Sequence, residues 1–392
     1  MCARKGLGAL AEGWHTVGMR TVGVEEELLL VDAESGRPRS VAARTLRYAA
    51  EAAEPADATS DDAPGGSLEH ELQQQQIETD TVPHTDMSAL TDDVRAWREH
   101  AIRAARRAGA RVIAAGTSPL PAGAAIVGKP RYLQMVEHFG MTTTEQLTGG
   151  CHVHVSIESD DEGVGVLDRI RGWLPVLLAL SANSPFWRGE DTKYESFRSQ
   201  AMGRWPTAGP TELFRSAEAY RELVAAMIGS GAILDEGMVH FDARLSHHYP
   251  TVEIRVADVC ADARDTVLVA ALTRALVDTA AAEWRAGNEP LPLTVSMVRL
   301  LNWQAGRFGI TGDLIDPRTL KPRAAREVVA DLVDHVRQAL RENGDEHLVD
   351  EQVEQIFTRG NGAMRQRAML EKTGQLSDVV AELAKVTAGI DG

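Results

Sequence analysis

Three short stretches of the chain alternate apolar residues with charged or imidazole side chains. They span residues 21–30, 151–157 and 251–257. Because successive side chains of a β-strand point to opposite faces, residues two apart share a face. The pattern predicts three strands, each with a polar pair on one face and aliphatic side chains on the other. The pairs are Glu25 with Glu27, His152 with His154, and Glu253 with Arg255.

A sheet face this rich in carboxylates and imidazoles predicts bound divalent cations. Like charges repel each other and resist burial, whereas a metal ion makes such a face stable. The candidate ligands are mostly carboxylates, which suits magnesium or manganese better than zinc. The spacing of His152 and His154 also occurs in zinc hydrolases, so a metal-dependent hydrolase is the alternative.

Each motif also has a purely structural interpretation. The first pair can be the solvated face of an edge strand, the histidines can be hydrogen-bonded core residues, and the third pair can be a salt bridge. The recurrence of one geometry in three stretches favours the functional interpretation. Glu26 is explained by neither the structural nor the functional interpretation. It points with Val24 and Leu28 to the apolar side, where a carboxylate requires a cation or an exposed edge.

Helical periodicity dominates much of the remaining sequence. Apolar residues spaced three and four apart predict helices over about 90–105, 166–182 and 263–285, and through the C-terminal third. Residues 69–79 and 112–115 are predicted to be extended. The chain therefore alternates a few strands with many helices.

The distances between the polar strands determine the domain organisation that we expect. The first and third stretches are more than two hundred residues apart in sequence. A site shared between them requires a single interlocked domain, which we expect over residues 19–392. Residues 1–18 are expected to form a poorly ordered N-terminal extension.

The composition indicates which partners and which cellular compartment we expect for the protein. The chain has 392 residues and a formal net charge of −16, which argues against a nucleic-acid surface. Its three cysteines are too few for a disulfide framework and favour a reducing, cytoplasmic compartment. No apolar run reaches the ~18 residues of a membrane span, so we expect no membrane partner.

Five segments, in order along the chain, resemble a known family. They are Val-Glu-Glu-Glu-Leu at 24–28, Gln-Ile-Glu-Thr at 76–79, Gly-Cys-His-Val-His at 150–154, Ala-Leu-Ser-Ala-Asn-Ser-Pro-Phe-Trp at 179–187, and Pro-Thr-Val-Glu-Ile-Arg at 250–255. Together they resemble the glutamate–cysteine ligase type 2 family, the carboxylate–amine ligases of the YbdK type. The resemblance implies an α+β fold that is glutamine-synthetase-like, with a curved antiparallel sheet and helices packed on one side.

The same resemblance implies the residues of the site. The family's metal ligands fall on Glu25, Glu27, Glu71, Glu78, His152 and Glu253. Its phosphate-stabilising arginine falls on Arg255, which forms the expected catalytic pair with Glu253. Glu71 is the loosest match, since its odd separation from Glu78 requires a bulge or a bend between them. Lys193 lies where the resemblance leads us to expect glycine.

Three further arginines are candidates for binding a substrate or the nucleotide: Arg188, Arg198 and Arg204. A guanidinium group can bind a carboxylate through two hydrogen bonds. Solvated loop charges are the simpler interpretation of all three.

The expected function is an ATP-dependent carboxylate–amine ligase that uses magnesium or manganese. The family's default substrates are glutamate and cysteine, joined to γ-glutamylcysteine through an acyl phosphate with release of ADP and phosphate. The alternatives are a metal-dependent hydrolase, a ligase of the same fold acting on another acid and amine, and a binding protein that retains the fold. Small-molecule amino acids and ATP are the expected partners, and the resemblance also implies a homodimer.

Overall fold

The computed structural model describes residues 18–52, 66–123 and 125–390. The strands are β1 (Val22–Asp32), β2 (Ser67–His70), β3 (Gln76–Asp80), β4 (Ala110–Ile113), β5 (Gly150–Ser156), β6 (Phe186–Trp187), β7 (Glu190–Asp191), β8 (Ala243–Leu245), β9 (Thr251–Asp258), β10 (Asp313–Ile315) and β11 (Pro322–Ala324). The helices are α1 (Ala42–Ala52), α2 (Met87–Arg107), α3 (Pro130–Phe139), α4 (Met141–Thr144), α5 (Asp160–Ile170), α6 (Leu174–Ser181), α7 (Arg198–Met202), α8 (Ala217–Gly229), α9 (Ala263–Arg285), α10 (Val295–Phe308), α11 (Ala325–Asn343), α12 (Glu346–Arg359), α13 (Gly362–Thr373) and α14 (Leu376–Thr387). The predicted N-terminal extension lies outside the described residues, apart from Gly18.

Seven of these strands form one antiparallel sheet in which the three polar strands are neighbours. The order is β2-β3-β1-β5-β9-β8, and β4 pairs with the second half of β1. The register puts Glu25 opposite both His152 and Asp80, and His154 opposite Glu253. The polar pairs therefore meet on one sheet face, as the alternation predicts.

The opposite face of this sheet is apolar and packs on helices. Val153 and Val155 of β5, with Val252 and Ile254 of β9, are at most 1% exposed. Helices α5, α6 and α9 contact these strands and supply the other side of the core. Burying aliphatic side chains in this way stabilises the fold by roughly 1.5–3 kcal/mol for each residue.

Helix α9 crosses the centre of this core and matches the helix predicted over residues 263–285. Sixteen of its 23 residues are buried, because apolar side chains surround the helix instead of forming one stripe. Asp262 caps its first turn by accepting a hydrogen bond from the backbone N–H of Arg264. None of the helices in the described ranges combines the length and hydrophobicity that a bilayer crossing requires.

We predicted helices on one side of the sheet only, but at the second half of β1 a helix also covers the other side. Leu29 and Val31 share the face of Glu25 and Glu27, yet they are buried against helix α14 and Phe186. Strand β1 is 11 residues long and extends beyond the polar site, so its last apolar side chains need their own cover. The polar face is therefore bounded at this end by an apolar cluster.

The single helix predicted over residues 166–182 is wrong. The chain forms two helices there, α5 and α6, separated by residues 171–173. Pro175 lies in the first turn of α6, where a missing N–H costs no hydrogen bond. A side chain at Gly172 would come within 2.9 Å of Leu293, so the break also allows a close approach of the chain.

Glu26 receives the cation that its position in the sequence requires. Arg98 of α2 donates to both carboxylate oxygens of Glu26, at 2.7 and 2.6 Å, and each side chain is 2% exposed. Thr266 of α9 donates a further hydrogen bond to Glu26 at 2.7 Å. This buried ion pair joins strand β1 to two helices on the apolar side of the sheet.

Candidate active site

The carboxylate of Glu25 lies at the centre of the polar sheet face. One oxygen lies 3.0 Å from Nδ1 of His152, and the other lies 2.9 Å from Nε2 of His154. Burial alone would raise the pKa of Glu25, but the two imidazoles hold it well below the usual value. Glu25 is therefore an anion that bridges two histidines of the neighbouring strand.

Two groups of possible metal ligands share Glu25. In the described part of the chain, Glu25, His152 and Glu253 offer ligand atoms within 4.8 Å of one another, and so do Glu25, Glu78 and Asp80. The first group spans β1, β5 and β9, and the second spans β1 and β3. Each group contains at least two carboxylates, which is the donor set that magnesium and manganese prefer.

Glu27 and Glu71 lie beside these groups without joining either of them. Glu27 accepts a hydrogen bond from the backbone N–H of Gly150 at 2.6 Å, and its other oxygen is 3.8 Å from His152. Glu71 follows the end of β2, in the bend that leads to β3. The bend turns Glu71 toward the same cavity as Glu78, which resolves the odd separation of the two residues in the sequence.

Crowding of carboxylates on this face opposes their ionisation. Burial, followed by the charge of Glu27, raises the pKa of Glu71 to about 7. Burial, followed by the charge of Glu25, raises the pKa of Asp80 to about 7 and that of Glu78 well above its usual value. A divalent cation would remove this penalty, so the residues present fit a metal site.

Glu253 is held by two arginines. Arg244 donates to both of its oxygens, at 2.7 and 3.1 Å, and Arg255 donates to one of them. Although burial raises the pKa of Glu253, Arg255 and Arg244 lower it well below the usual value. Arg255 also lies 3.5 Å from Nδ1 of His152, so its guanidinium group borders the first ligand group.

The three candidate arginines occupy different places. Arg198 is 3% exposed and donates to the backbone carbonyl oxygens of Arg255 and Val256 at 3.3 and 3.4 Å. Arg204 and Arg188 both bind Glu145, and the side chain of Arg188 is 52% exposed. Arg188 does not line the cavity of the carboxylates, because it lies in a separate surface pocket with Trp187.

Two cavities meet at this face. The carboxylate cavity, of about 220 Å³, is lined by Glu25, Glu27, Glu71, Glu78, His152 and Arg244, and by Arg131 and Tyr132 of α3. The arginine cavity, of about 370 Å³, is lined by Arg204, Asp242, Arg299, Asn302 and Trp303. Arg198, Met202, His240 and Arg255 line both cavities. We call the position of these four residues the junction.

Several residues of the site were missed by the sequence analysis. Asp80 was detectable, because it follows Glu78 at the same two-residue spacing as the other polar pairs. Arg244 and Asp242 belong to a short edge strand and the residue before it, and they carry no comparable pattern. His240 precedes them in an irregular segment, where no periodicity indicates the direction of a side chain.

The raised pKa of Asp80 leads to a test of the carboxylate crowding. Its folded-state pKa, about 7, lies above the unfolded value, so the stability present below pH 4 is lost as the pH rises to 7. In protein treated with EDTA, Asp80→Asn should raise the free energy of unfolding by roughly 1–3 kcal/mol at pH 8 and by much less at pH 5. Magnesium should reverse the gain at pH 8. Denaturant titrations at both pH values measure this, and an effect independent of pH would contradict it.

Gly150 leads to a test of the packing around the site. A Cβ atom there would lie 2.3 Å from a terminal nitrogen of Arg198 and 3.0 Å from Nε2 of His152. Gly150→Ala should therefore displace both side chains, lowering kcat roughly 10²-fold and stability by about 1–3 kcal/mol. Gly128→Ala is the matched control, because the space around Gly128 is open. Equal kinetics and melting temperatures in the two variants would contradict the expectation.

The fold matches that of solved ligases. The glutamate–cysteine ligase of Francisella tularensis, solved in complex with AMP, superposes with a TM-score of 0.64 over 95% of this chain and 88% of that one, at 11% identity. A bifunctional glutathione synthetase from Pasteurella multocida superposes with a TM-score of 0.61 over 95% of this chain, at 14% identity. This chain spans 53% of the length of the second structure. The predicted α+β, glutamine-synthetase-like fold is thus confirmed.

Sequence comparison then identifies the family. The description "Glutamate-cysteine ligase family 2" belongs to the family model that matches residues 21–382. A "Putative glutamate--cysteine ligase 2-1" of Streptomyces avermitilis is 53% identical over 371 residues, which are 95% of this chain and 100% of the relative. A "Putative glutamate--cysteine ligase 2" of Streptomyces coelicolor is 52% identical and covers 94% of this chain and 99% of the relative. The chain belongs to glutamate–cysteine ligase family 2, as its motifs predict.

Proposed function

We propose that the protein is an ATP-dependent carboxylate–amine ligase that joins glutamate to cysteine and releases ADP and phosphate. Family membership supports the ligase class, and the names of the relatives support this pair of substrates. The observation that carries the proposal is the pair of ligand groups that share Glu25 beside the guanidinium group of Arg255. Such a face suits a reaction that brings several anionic groups together.

Phosphoryl transfer needs positioning and charge neutralisation more than covalent help from the protein. The two ligand groups, with Glu27 and Glu71 beside them, would hold magnesium or manganese. Bound there, the metal would neutralise and orient the phosphates of ATP. Arg255 borders the same place and is held there by Glu253, so its guanidinium group would donate to the transferring phosphoryl group.

The chemistry proceeds in two steps. A carboxylate oxygen of the acid attacks the γ-phosphorus of ATP, which forms an acyl phosphate and releases ADP. The nitrogen of the amine then attacks the acyl carbon, loses a proton and displaces phosphate. Arg131 and Tyr132 of α3 line the carboxylate cavity, and a ligase needs such walls to keep water from the acyl phosphate.

The hydrolase alternative has less support. Zinc hydrolase sites use mainly nitrogen ligands with at most one carboxylate. Each ligand group here contains two or more carboxylates, and His154 bonds Glu25 and Thr251. The proposed ligase therefore accounts for more of the site than a hydrolase does.

The test is a screen of acid and amine pairs with ATP and magnesium. Release of ADP should require both an acid and an amine, and mass spectrometry should identify γ-glutamylcysteine when the pair is glutamate and cysteine. Glu253→Gln should abolish turnover without unfolding the protein, and the exposed Glu289→Gln is the matched control. AMP as the product, or hydrolysis of a single substrate, would contradict the proposal.

A further inference from the structure

Strand β4 is an edge strand, because it pairs with β1 on one side only. Leu30 and Asp32 of β1 direct their backbone N–H groups away from β4. Val112 lies opposite Leu30, and Ala110 lies opposite Asp32. Since the residues of an antiparallel strand alternate in the side to which they hydrogen-bond, the backbone groups of Ala110 and Val112 point to the outer edge of β4.

Part of this outer edge has no hydrogen-bond partner. Neither the N–H nor the C=O group of Ala110 or of Val112 is paired with any residue in the ranges 18–52, 66–123 and 125–390 on that side. Both residues are nevertheless at most 4% exposed. Ala114, further along the same edge, is satisfied by the hydroxyl group of Thr387 and the amide of Asn183, each at 2.9 Å. Shielded backbone groups are normally paired, so the open part of the edge indicates a partner with both donors and acceptors.

A groove runs along the open part of this edge. It has a volume of about 430 Å³, and Ala110 and Val112 line it together with side chains of helices α2 and α14. Ile102 belongs to the α2 wall, and the α14 wall consists largely of the small residues Ala381, Ala384 and Ala388. Small side chains at this spacing share one helix face and leave room for another backbone to approach the strand. The groove shares no lining residue with the carboxylate cavity or the arginine cavity.

The groove is basic in a chain whose net charge is −16. Arg106, Arg111 and Lys385 line it, and none of its lining residues is acidic. The guanidinium groups of Arg106 and Arg111 make no hydrogen bond or ion pair in the described part of the chain, whereas Lys385 lies 3.3 Å from Glu382. Arg111 shares a sheet face with Val31, which packs on α14, so Arg111 and Lys385 belong to the same wall. These charges favour carboxylates in the partner.

We propose that this groove binds an extended segment of another protein, in which acidic residues alternate with aliphatic ones, as an added strand beside β4. Because side chains of a strand alternate between two faces, the acidic ones would meet Arg111 and Lys385 while the aliphatic ones pack on Ile102. The inference goes beyond the ligase reaction, since it assigns a docking surface away from the reaction site.

Two other occupants agree less well with the groove. An anionic amphiphile such as a fatty acid matches the charges and the apolar wall, but it supplies no backbone donors and acceptors at the spacing of a strand. A second copy paired through its own β4 would bring Arg106, Arg111 and Lys385 against the same three cations. Like charges facing each other across paired strands are destabilising.

The test uses a fluorescein-labelled peptide of alternating glutamate and valine residues with blocked ends. Its binding to the full chain at low salt is measured by fluorescence anisotropy. A peptide of the same composition, with all its glutamates before its valines, should bind roughly 10-fold more weakly. Two further peptides carry N-methyl groups on the valines or on the glutamates. Since alternate N–H groups of a strand face opposite edges, one methylated peptide should lose roughly 10-fold or more and the other less than about 3-fold.

Protein variants locate the binding in the groove. Arg106→Glu should weaken binding of the alternating peptide roughly 10-fold. Arg95→Glu is the matched control, because Arg95 is exposed on the same helix, lies outside the groove and changes the net charge equally. It should weaken binding less than about 3-fold. Ala388→Trp should block the groove without a change of charge. All three variants should melt and turn over ATP like the wild type, because none of these residues lines either cavity.

Several results would overturn the inference. Absence of binding by the alternating peptide would do so, and so would equal losses for the two methylated peptides or for Arg106→Glu and Arg95→Glu, because net charge alone would then explain the binding. A wild-type dimer that Ala388→Trp converts to a monomer, seen by analytical ultracentrifugation, would assign the groove to a second copy instead. None of these results bears on the ligase proposal, which the release of ADP tests separately.

Discussion

Replacing Arg255 with lysine is expected to lower kcat roughly 10³-fold while the KM for ATP changes much less. An arginine that stabilises a transferring phosphoryl group contributes about 10³–10⁵ in kcat, and lysine keeps the charge but loses the paired hydrogen bonds. The guanidinium group of Arg255 lies at the junction beside Glu253 and His152. An interaction formed chiefly in the transition state affects kcat rather than the binding of ATP.

Arg244→Lys is the matched control for this prediction. Arg244 also binds Glu253 through two hydrogen bonds, but it lines the carboxylate cavity and not the junction. If Arg255 serves only to hold Glu253, the two lysine variants should lose similar activity and stability. Steady-state kinetics and a thermal melt of both variants distinguish the two roles. A kcat of Arg255→Lys within a few-fold of the wild type would refute the catalytic role.

The buried ion pair between Glu26 and Arg98 should dominate the effects of mutations on stability. Glu26→Gln removes the anion and leaves the guanidinium group of Arg98 buried without a counter-charge. Such a change costs roughly 3–5 kcal/mol, which is a large part of the stability of a typical domain. Urea titration monitored by fluorescence should show the loss as a lower midpoint of unfolding.

A double variant separates the charge from the packing. Glu26→Leu combined with Arg98→Met removes both charges and should recover part of the lost stability. Recovery stays incomplete because Arg98 also donates to the backbone carbonyl oxygens of Cys260 and Ala261, at 2.7 and 2.9 Å. Arg103→Met, on the exposed face of the same helix, should change stability by less than about 0.5 kcal/mol. A double variant less stable than Glu26→Gln would show that those carbonyl contacts outweigh the charges.

The residues of the polar sheet face could be predicted from the sequence, because side chains alternate between the two faces along every strand. Alternation along a strand determines which side chains share a face, so Glu25 and Glu27 could be grouped without knowledge of their neighbours. The family motifs then supplied the order of the segments. The rule says nothing about which strands pair, so the meeting of Glu25 with Asp80 could be found only in the register of β1 and β3.

Other parts of the molecule depend on contacts that no local pattern carries. The cation for Glu26 was required by the sequence, but its identification as Arg98 depends on how α2 lies against the sheet. Asp242 and Asn302 meet across a cavity, sixty residues apart in sequence. Arg188 was grouped with Arg198 by proximity in the sequence alone, and an irregular loop separates their side chains in space.

The backbone conformation of Lys193 accounts for the glycine that the family resemblance leads us to expect at this position. Its backbone has φ of 65°, in the left-handed region that glycine adopts at little cost. The position therefore favours the glycine that the resemblance led us to expect. Here Asp191 accepts hydrogen bonds from both the backbone N–H and the ammonium group of Lys193, each at 2.9 Å, which stabilises the unusual conformation.

The position of β5 between β1 and β9 has a consequence for the synthesis of the protein. Strand β5 ends at Ser156 and β9 begins at Thr251, so β9 is synthesised roughly 5–20 s after β5 at 5–20 residues per second. Until β9 exists, one edge of β5 has no partner, and pairings between such distant strands form slowly because long loops must close first. Nascent chains thus expose the unpaired backbone groups of a strand edge for several seconds, so the yield of soluble protein should depend on chaperones and on the speed of translation.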